Sequence, residues 1–305
     1  MRHTCRPGLT LIECLVATGI LLFAVTLLIL PVSRQCCPIS HSLVCASNLK
    51  VIGTSCKIYA NDNNDAWPTP AFDQSAIGRI DYTVRVGGGE GSVRSPNRLQ
   101  PSTGGSGGAR QLSTTRAFWM LVRSGDITEK QFICPLSKMT AGQTKNIDIY
   151  YDFADGEKVS YGFLVPFGPG CTRATEGKDN RMAFLADRGP YRTADVSPPP
   201  LTLKVAMARP IRHGGPLNDR ERWRPFNSPN HQGDGQNVLF ADGHVQFVCF
   251  PTVGVDGDNI YTVATDTGAA TDYTHGESPW RRSAAPQALS NCSVARPGTD
   301  SVIFP

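Results

Sequence analysis

The hydrophobic positions of this chain follow two patterns. From Leu9 to Leu30 the sequence runs 22 residues with Glu13 as its only formal charge, and no polar face interrupts it. About 20 apolar helical residues cross the roughly 30 Å hydrocarbon core of a bilayer, so this run predicts a membrane-spanning helix over 9–30. Farther on the pattern becomes periodic. Cys45, Leu49, Ile52, Cys56 and Tyr59 are spaced 4, 3, 4 and 3 residues apart, one apolar stripe on a helix with Ser47, Asn48 and Lys50 opposite. Pro31 and Pro38 are expected to kink the path between the two segments. The polar run Asn61-Asp-Asn-Asn-Asp65, with Trp67-Pro68 behind it, is expected to end the helix.

The body reads as short strands and loops. A short buried helix is predicted from Thr115 to Ser124, stopped by Gly125. Strand-like runs follow at 132–134, 147–153, 159–165 and 182–186, the last ending in Asp187, while 205–230 reads as loop. The clearest signal is Asn237-Val-Leu-Phe-Ala-Asp242-Gly243-His-Val-Gln-Phe-Val248. Asp-Gly between two apolar runs predicts a hairpin with a two-residue type I′ turn, pairing Phe240 with Val245 and Val238 with Phe247. Residues 86–110 are rich in Gly and Ser and read as a flexible loop, and 265–305 as a polar tail. The fold class is therefore α+β: a long kinked N-terminal helix, its first half transmembrane, packed through its second half on an antiparallel sheet.

Composition narrows the classes. Thirty Gly and 23 Pro suit a loop-rich body, and 18% charged residues argue against disorder. The net charge of +4 is thinly spread, without a Lys/Arg run to bind nucleic acid. Ten cysteines are many for a reducing compartment. Cys134, Cys171, Cys249 and Cys292 lie in the body, where two bridges would allow three connectivities. Cys45 and Cys56 share a helical face but stand three turns apart, too far to bridge each other. No Cys-x2-Cys pair marks a structural zinc site.

A short basic leader with Arg2 and Arg6 ends in Gly8, followed by Leu9, Thr10, Leu11, Ile12, Glu13 and the hydrophobic helix. This arrangement resembles the N-terminal signal of type IV prepilins and type II secretion pseudopilins. The resemblance implies cleavage after Gly8 by the membrane prepilin peptidase, methylation of the new amine on Leu9, and an assembly role for Glu13. Leu9 departs from the family's usual Phe. A carboxylate within a membrane segment costs about 2.5–3.5 kcal/mol at the helix centre, less near an end. Pairing Glu13 with the terminal amine of a neighbouring subunit turns that cost into specificity for assembly.

At the other end, Pro229-Asn230-His231-Gln-Gly-Asp-Gly-Gln-Asn237-Val-Leu-Phe-Ala-Asp242-Gly243-His244 resembles the H-x9-DG signature of a bacterial family of pilin-like proteins with prepilin-type N-termini. The run from Cys45 to Lys50 is similar to that family as well. His231 and Asp242 enclose ten residues, one more than the signature's name, and the extra residue falls in the glycine-rich loop. Two readings of this motif stand side by side. In one, His231, Asp234, Asp242 and His244 gather as an acid/base or metal cluster. In the other, Asp242 and Gly243 make the turn and His231 braces loop backbone. Asn61 to Asp65 and Asp256-Gly-Asp258-Asn259 are oxygen-rich turns of the kind that bind calcium or merely end an element.

Together the two ends imply a leader over 1–8, a transmembrane helix over 9–30, its continuation over 31–64, an extracytoplasmic β-rich domain over 65–264 and a tail. The expected role is that of a non-enzymatic structural subunit of a type II secretion or pilus-like assembly, with no cofactor. Its expected partners are the prepilin peptidase, the inner membrane and other pilin-like subunits met through the N-terminal helix, with no nucleic acid. The alternative is an anchored periplasmic domain that binds a cation or glycan and never polymerises.

Overall fold

The computed structural model describes residues 10–69, 80–81, 100–101, 110–111, 113–165, 177–191, 197–204, 217–266, 271–277 and 301–304, and over 26–40 the helical backbone alone. The protein is α+β with an antiparallel sheet, and it divides into two compact units, Met1–His41 and Ser42–Pro305. Helix α1, Leu11–Asp62, begins in the first unit and ends in the second. It runs as one helix through Pro31 and Pro38.

In the first unit, Thr10 and Glu13 start the helix together. Thr10 donates its N–H and its Oγ1–H to Glu13 Oε2 at 2.8 and 2.9 Å, and Glu13 N–H points back at Thr10 Oγ1 at 3.4 Å. This reciprocal pair is a capping box: each side chain satisfies a backbone donor that the first turn leaves orphaned. From Leu11 to Val25 the large apolar side chains stand exposed on every side, from Leu11 at 78% to Val25 at 44%. Among the described residues no helix is long and apolar enough to cross a membrane. Leu9 and the side chains of 26–30, which complete the expected span, lie outside those residues.

In the second unit α1 presents the predicted stripe. Cys45, Leu49, Ile52, Cys56 and Ala60 are fully buried and Tyr59 packs beside them. Asn64 and Asp65 then take left-handed backbone, with φ of 55° and 60°, and stop the helix. Three two-residue strands form a small sheet: β1 (Ile80–Asp81), β2 (Gln100–Pro101) and β3 (Arg110–Gln111). Most of the expected loop 86–110 lies outside the described residues. Helix α2 (Arg116–Ser124) buries Phe118, Trp119, Leu121 and Val122 and ends at Gly125, whose φ of 85° makes the left-handed cap.

The main sheet carries β4 (Tyr161–Leu164), β5 (Ala183–Asp187), β6 (Gln236–Phe240) and β7 (Val245–Val248) in antiparallel succession. A short helix α3 (Leu217–Trp223) precedes β6, inside the stretch expected to be loop. Strands β8 (Val263–Asp266) and β9 (Thr271–Glu277) form a separate hairpin, and β10 (Ile303–Phe304) pairs with β4 at the sheet edge. One face of the sheet receives the α1 stripe and α2 through Phe163, Phe184, Leu185 and Leu239. The other face packs Ala186, Val238, Phe240 and Val248 with Ile260, Tyr261 and Ile303. Both faces are covered, so β4, β5 and β6 are buried throughout instead of alternating.

Four expectations need correction. The hairpin register is shifted by one, pairing Leu239 with Val245 and Val238 with Gln246. A type I′ turn needs positive φ at both central residues, but Gly243 alone has it (87°), so the loop is Ala241-Asp242-Gly243, closed by Gly243 N–H to Phe240 O at 2.8 Å. The shift moves Val245 to the α1 side. Residues 147–153 form a 3-10 turn and bends, not a strand. There Trp119 Nε1–H takes the Tyr150 carbonyl and Asp152 turns inward to accept from Thr115 Oγ1 at 2.6 Å. Phe132 closes another 3-10 turn, Glu129–Phe132, whose Gln131 reaches back to the Thr128 N–H at 3.1 Å. The described part of the tail is structural: Ile303 N–H bonds Ile260 O, and Thr114 Oγ1–H bonds Phe304 O.

Candidate functional site

Four side chains from distant segments converge beneath the α1 stripe. Cys45 comes from α1 and Cys134 from the segment that follows the Glu129–Phe132 turn. Asp187 is the last residue of β5, paired across the sheet with Tyr161. His231 ends the 3-10 turn Pro229–His231, which starts at Ser228, where Oγ accepts the Asn230 N–H, and ends at Gln232 with φ 58°. Their ligating atoms all lie within 4.8 Å of one another. Cys45, Cys134 and Asp187 are 0% exposed and His231 is 5% exposed, so no substrate in solution reaches them.

The polar core of the cluster is well supplied with partners. Asp187 Oδ2 accepts from the Asn237 backbone N–H at 2.6 Å, from Asn237 Nδ2 at 3.1 Å and from His231 Nε2 at 2.9 Å. Its Oδ1 accepts from Asn230 Nδ2 at 3.2 Å. The two carboxylate oxygens thus hold four donors from three residues. Cys134 Sγ lies 3.9 Å from His231 Nε2 and 2.6 Å from Cys45 Sγ. Tyr161 flanks the pair, its hydroxyl accepting from Asn48 Nδ2 at 3.2 Å. The His231 ring stands edge-on to Phe247, 5.4 Å between centroids.

The charges follow from these distances. Burial works against a charged His231, but the hydrogen bond to Asp187 and the neighbouring Cys134 outweigh it and raise its pKa to about 10. The Cys134 thiol, contacted by Cys45 and His231, is brought down to about 6 despite its burial, while Cys45 is pushed upward by the contact with Cys134 and by burial. Within the dithiol, the contacts thus favour ionisation of Cys134 and oppose that of Cys45. Two sulfurs, one imidazole nitrogen and one carboxylate oxygen also make a donor set of the kind zinc takes.

The residues singled out in the sequence do not form one centre. Gly8 and Leu9 lie outside the described residues. Glu13 caps its own helix. His231 enters the buried cluster, but its partner is Asp187 and not loop backbone. Asp234 stands apart with Arg220 and Arg224 at 3.9 and 3.8 Å. Asp242 accepts the His244 N–H at 2.9 Å and the His244 ring, an exposed local turn. Gly243 offers its carbonyl to Lys50 Nζ at 2.6 Å, so the hairpin tip docks on α1. Asp258 Oδ2 accepts the Ser301 N–H at 2.8 Å, tying down the C-terminal segment.

Cys45, Cys134, Asp187 and Asn237 were not legible as a site. They lie far apart in sequence, without metal-ligand spacing, and each reads as an ordinary core or turn residue. The faint signal was Asp187, an acid closing an otherwise apolar strand. No protein-family model, curated protein or solved structure matches this chain.

Proposed function

We propose that this chain is a pilin-like structural subunit, cut after Gly8 by prepilin peptidase, methylated on Leu9 and assembled through the first half of α1. One observation carries the reading: the leader motif opens directly onto a helix whose large apolar side chains from Leu11 to Val25 are exposed all round. A helix apolar on every side requires lipid or other helices as its surroundings. The first half supplies such a surface and the second half seats its stripe in the globular core, which is the division of labour a pilin-type subunit needs.

In this reading the protein sits in the bacterial inner membrane as a single-pass precursor, its globular domain outside the cytoplasm. Glu13 Oε2 is held by Thr10, and the assembly reading has the same carboxylate meet the amine of the next subunit.

The test is the mass and N-terminal sequence of the mature protein made with a prepilin peptidase present. A chain beginning at N-methylated Leu9 is the expected product. An intact Met1, with a monomer after detergent extraction, would leave only a membrane-anchored domain.

A further inference from the structure

Cys45 and Cys134 are 89 residues apart in sequence, and their Sγ atoms lie 2.6 Å apart in the core. Carbon atoms in non-bonded contact rest about 3.5–4.0 Å apart and sulfur is larger, so this is closer than two independent thiols pack. It is also too close for two ligands of one metal. Zinc–sulfur bonds of about 2.3 Å at tetrahedral angles hold the sulfurs roughly 3.8 Å from each other. Asp187 Oδ2 already receives three N–H donors. About half an ångström separates the pair from the length of a sulfur–sulfur bond.

We propose that Cys45 and Cys134 are joined by a disulfide in the mature protein, stapling the second half of α1 to the segment after the Glu129–Phe132 turn. The bridge ties the helix that carries the assembly surface to the body that the helix must carry. His231 and Asp187 form the polar floor beneath it.

The folded site is sealed, so the bond forms while α1 is still seating on the sheet. The oxidant is a disulfide of a thiol–disulfide oxidoreductase in an oxidising compartment. One of the two cysteines, as thiolate, attacks a sulfur of that disulfide, giving a mixed disulfide and releasing one oxidant thiolate. The second cysteine, deprotonated, attacks the first and expels the other oxidant sulfur. Two cysteine thiols lose two electrons and two protons, and the oxidant's disulfide gains them as a dithiol.

The inference goes beyond the proposed function and rests on different residues. It is tested on the full chain, exported in a bacterial host, extracted in detergent and alkylated under denaturing conditions without reductant. Peptide mass mapping should find the Cys45 and Cys134 peptides linked, separating on reduction. Cys134→Ser should leave Cys45 open to alkylation, and reduction of the native chain should lower Tm by roughly 5–15 °C. Full alkylation of both thiols without reductant would overturn the proposal, as would a bridge to other cysteines. So would one zinc per chain that shields both thiols until chelated. A linked pair in a chain that keeps Met1 would sink the pilin reading alone, and free thiols in a chain beginning at Leu9 would sink the bridge alone.

Discussion

His231 Nε2 lies 2.9 Å from Asp187 Oδ2, both side chains buried, and the carboxylate also collects Asn237 and Asn230. The histidine of the H-x9-DG-like motif is therefore tied to the end of β5 and not to the Asp-Gly turn that follows it in sequence. The motif acts at two places: His231 joins the sealed core, and Asp242-Gly243 shape a tip that docks on α1.

Asp187→Ala should be among the most damaging single substitutions in the body. It takes the Asp187 acceptor from the Asn237 N–H and amide and from the His231 ring, and leaves the Asn230 amide with the Ser160 carbonyl alone. Removing one partner of a buried ion pair costs about 3–5 kcal/mol, and urea unfolding should register a loss of that order. Asp187→Asn keeps the shape and part of the bonding, so it should lose less.

The pH dependence of stability separates the dithiol from the bridged protein. His231 is raised from 6.5 to about 10 on folding, so its contribution is full below pH 6.5 and is lost as pH rises through about 10. In the dithiol, Cys134 falls from 9.0 to about 6, a contribution present above pH 9 and lost as pH falls through about 6. Between pH 7 and 9 the two slopes oppose each other. A bridged Cys134 neither titrates nor adds to the upward shift of His231, but the bond to Asp187 still raises the imidazole, so Tm of the oxidised protein should fall from pH 7 to 9. Tm of the reduced protein should stay nearly level, as should that of an oxidised His231→Gln variant.

Local signals were legible where neighbouring residues decide the structure. The Cys45 to Tyr59 stripe, the Thr115 to Ser124 helix with its Gly125 stop and the strands after Val159 and Met182 all follow from nearby side chains. The hairpin was legible but its register was not, because that depends on Asp242 keeping negative φ while both sheet faces are apolar enough to accept either pairing. Thr10-Leu-Ile-Glu13 also spells a capping box, legible from its Thr-x-x-Glu spacing. The buried cluster was illegible for a different reason. Its residues meet only after β4, β5 and β6 pair and α1 seats on them, a consequence of topology that no spacing along the chain records.

At Gly53 α1 lies close against the sheet. A Cβ placed there would stand 2.7 Å from Leu239 Cδ1, itself fully buried. Gly53→Ala should cost about 1 kcal/mol, since the leucine tip shifts partway and helix propensity offsets some of the strain. Gly53→Val should cost about 2–3 kcal/mol. Denaturant midpoints of the two variants give the order, and a Gly53→Val protein as stable as wild type would mean that the helix does not sit this close.

Gly243 holds φ of 87° at the hairpin tip, and Lys50 takes its carbonyl. Gly243→Ala should lose about 1 kcal/mol through backbone strain, because Lys57, the nearest side chain to the added methyl, is flexible enough to yield. Asp242→Ala should lose a similar amount by unmaking the His244 turn. Divalent cations should leave the Tm of both variants and of wild type unmoved, whereas a cation-dependent rise seen in wild type and lost in Asp242→Ala would assign the turn a ligand.

Glu13 now has two jobs competing for it, and substitution separates them. Its carboxylate closes the capping box with Thr10, and the assembly reading also asks its charge to meet the amine of the next subunit. Glu13→Gln keeps the reach-back bond, because Gln serves the same capping position, and removes the charge. Glu13→Ala removes both. If charge pairing drives assembly, the two variants should be cut after Gly8 like wild type, and both should fail to cross-link into oligomers in the membrane. If capping is the glutamate's task, Glu13→Gln should assemble like wild type while Glu13→Ala frays the first turn. Thr10→Val, which loses only the hydroxyl's part of the cap, should then resemble Glu13→Ala. The oligomer yield of Glu13→Gln is the measurement that decides.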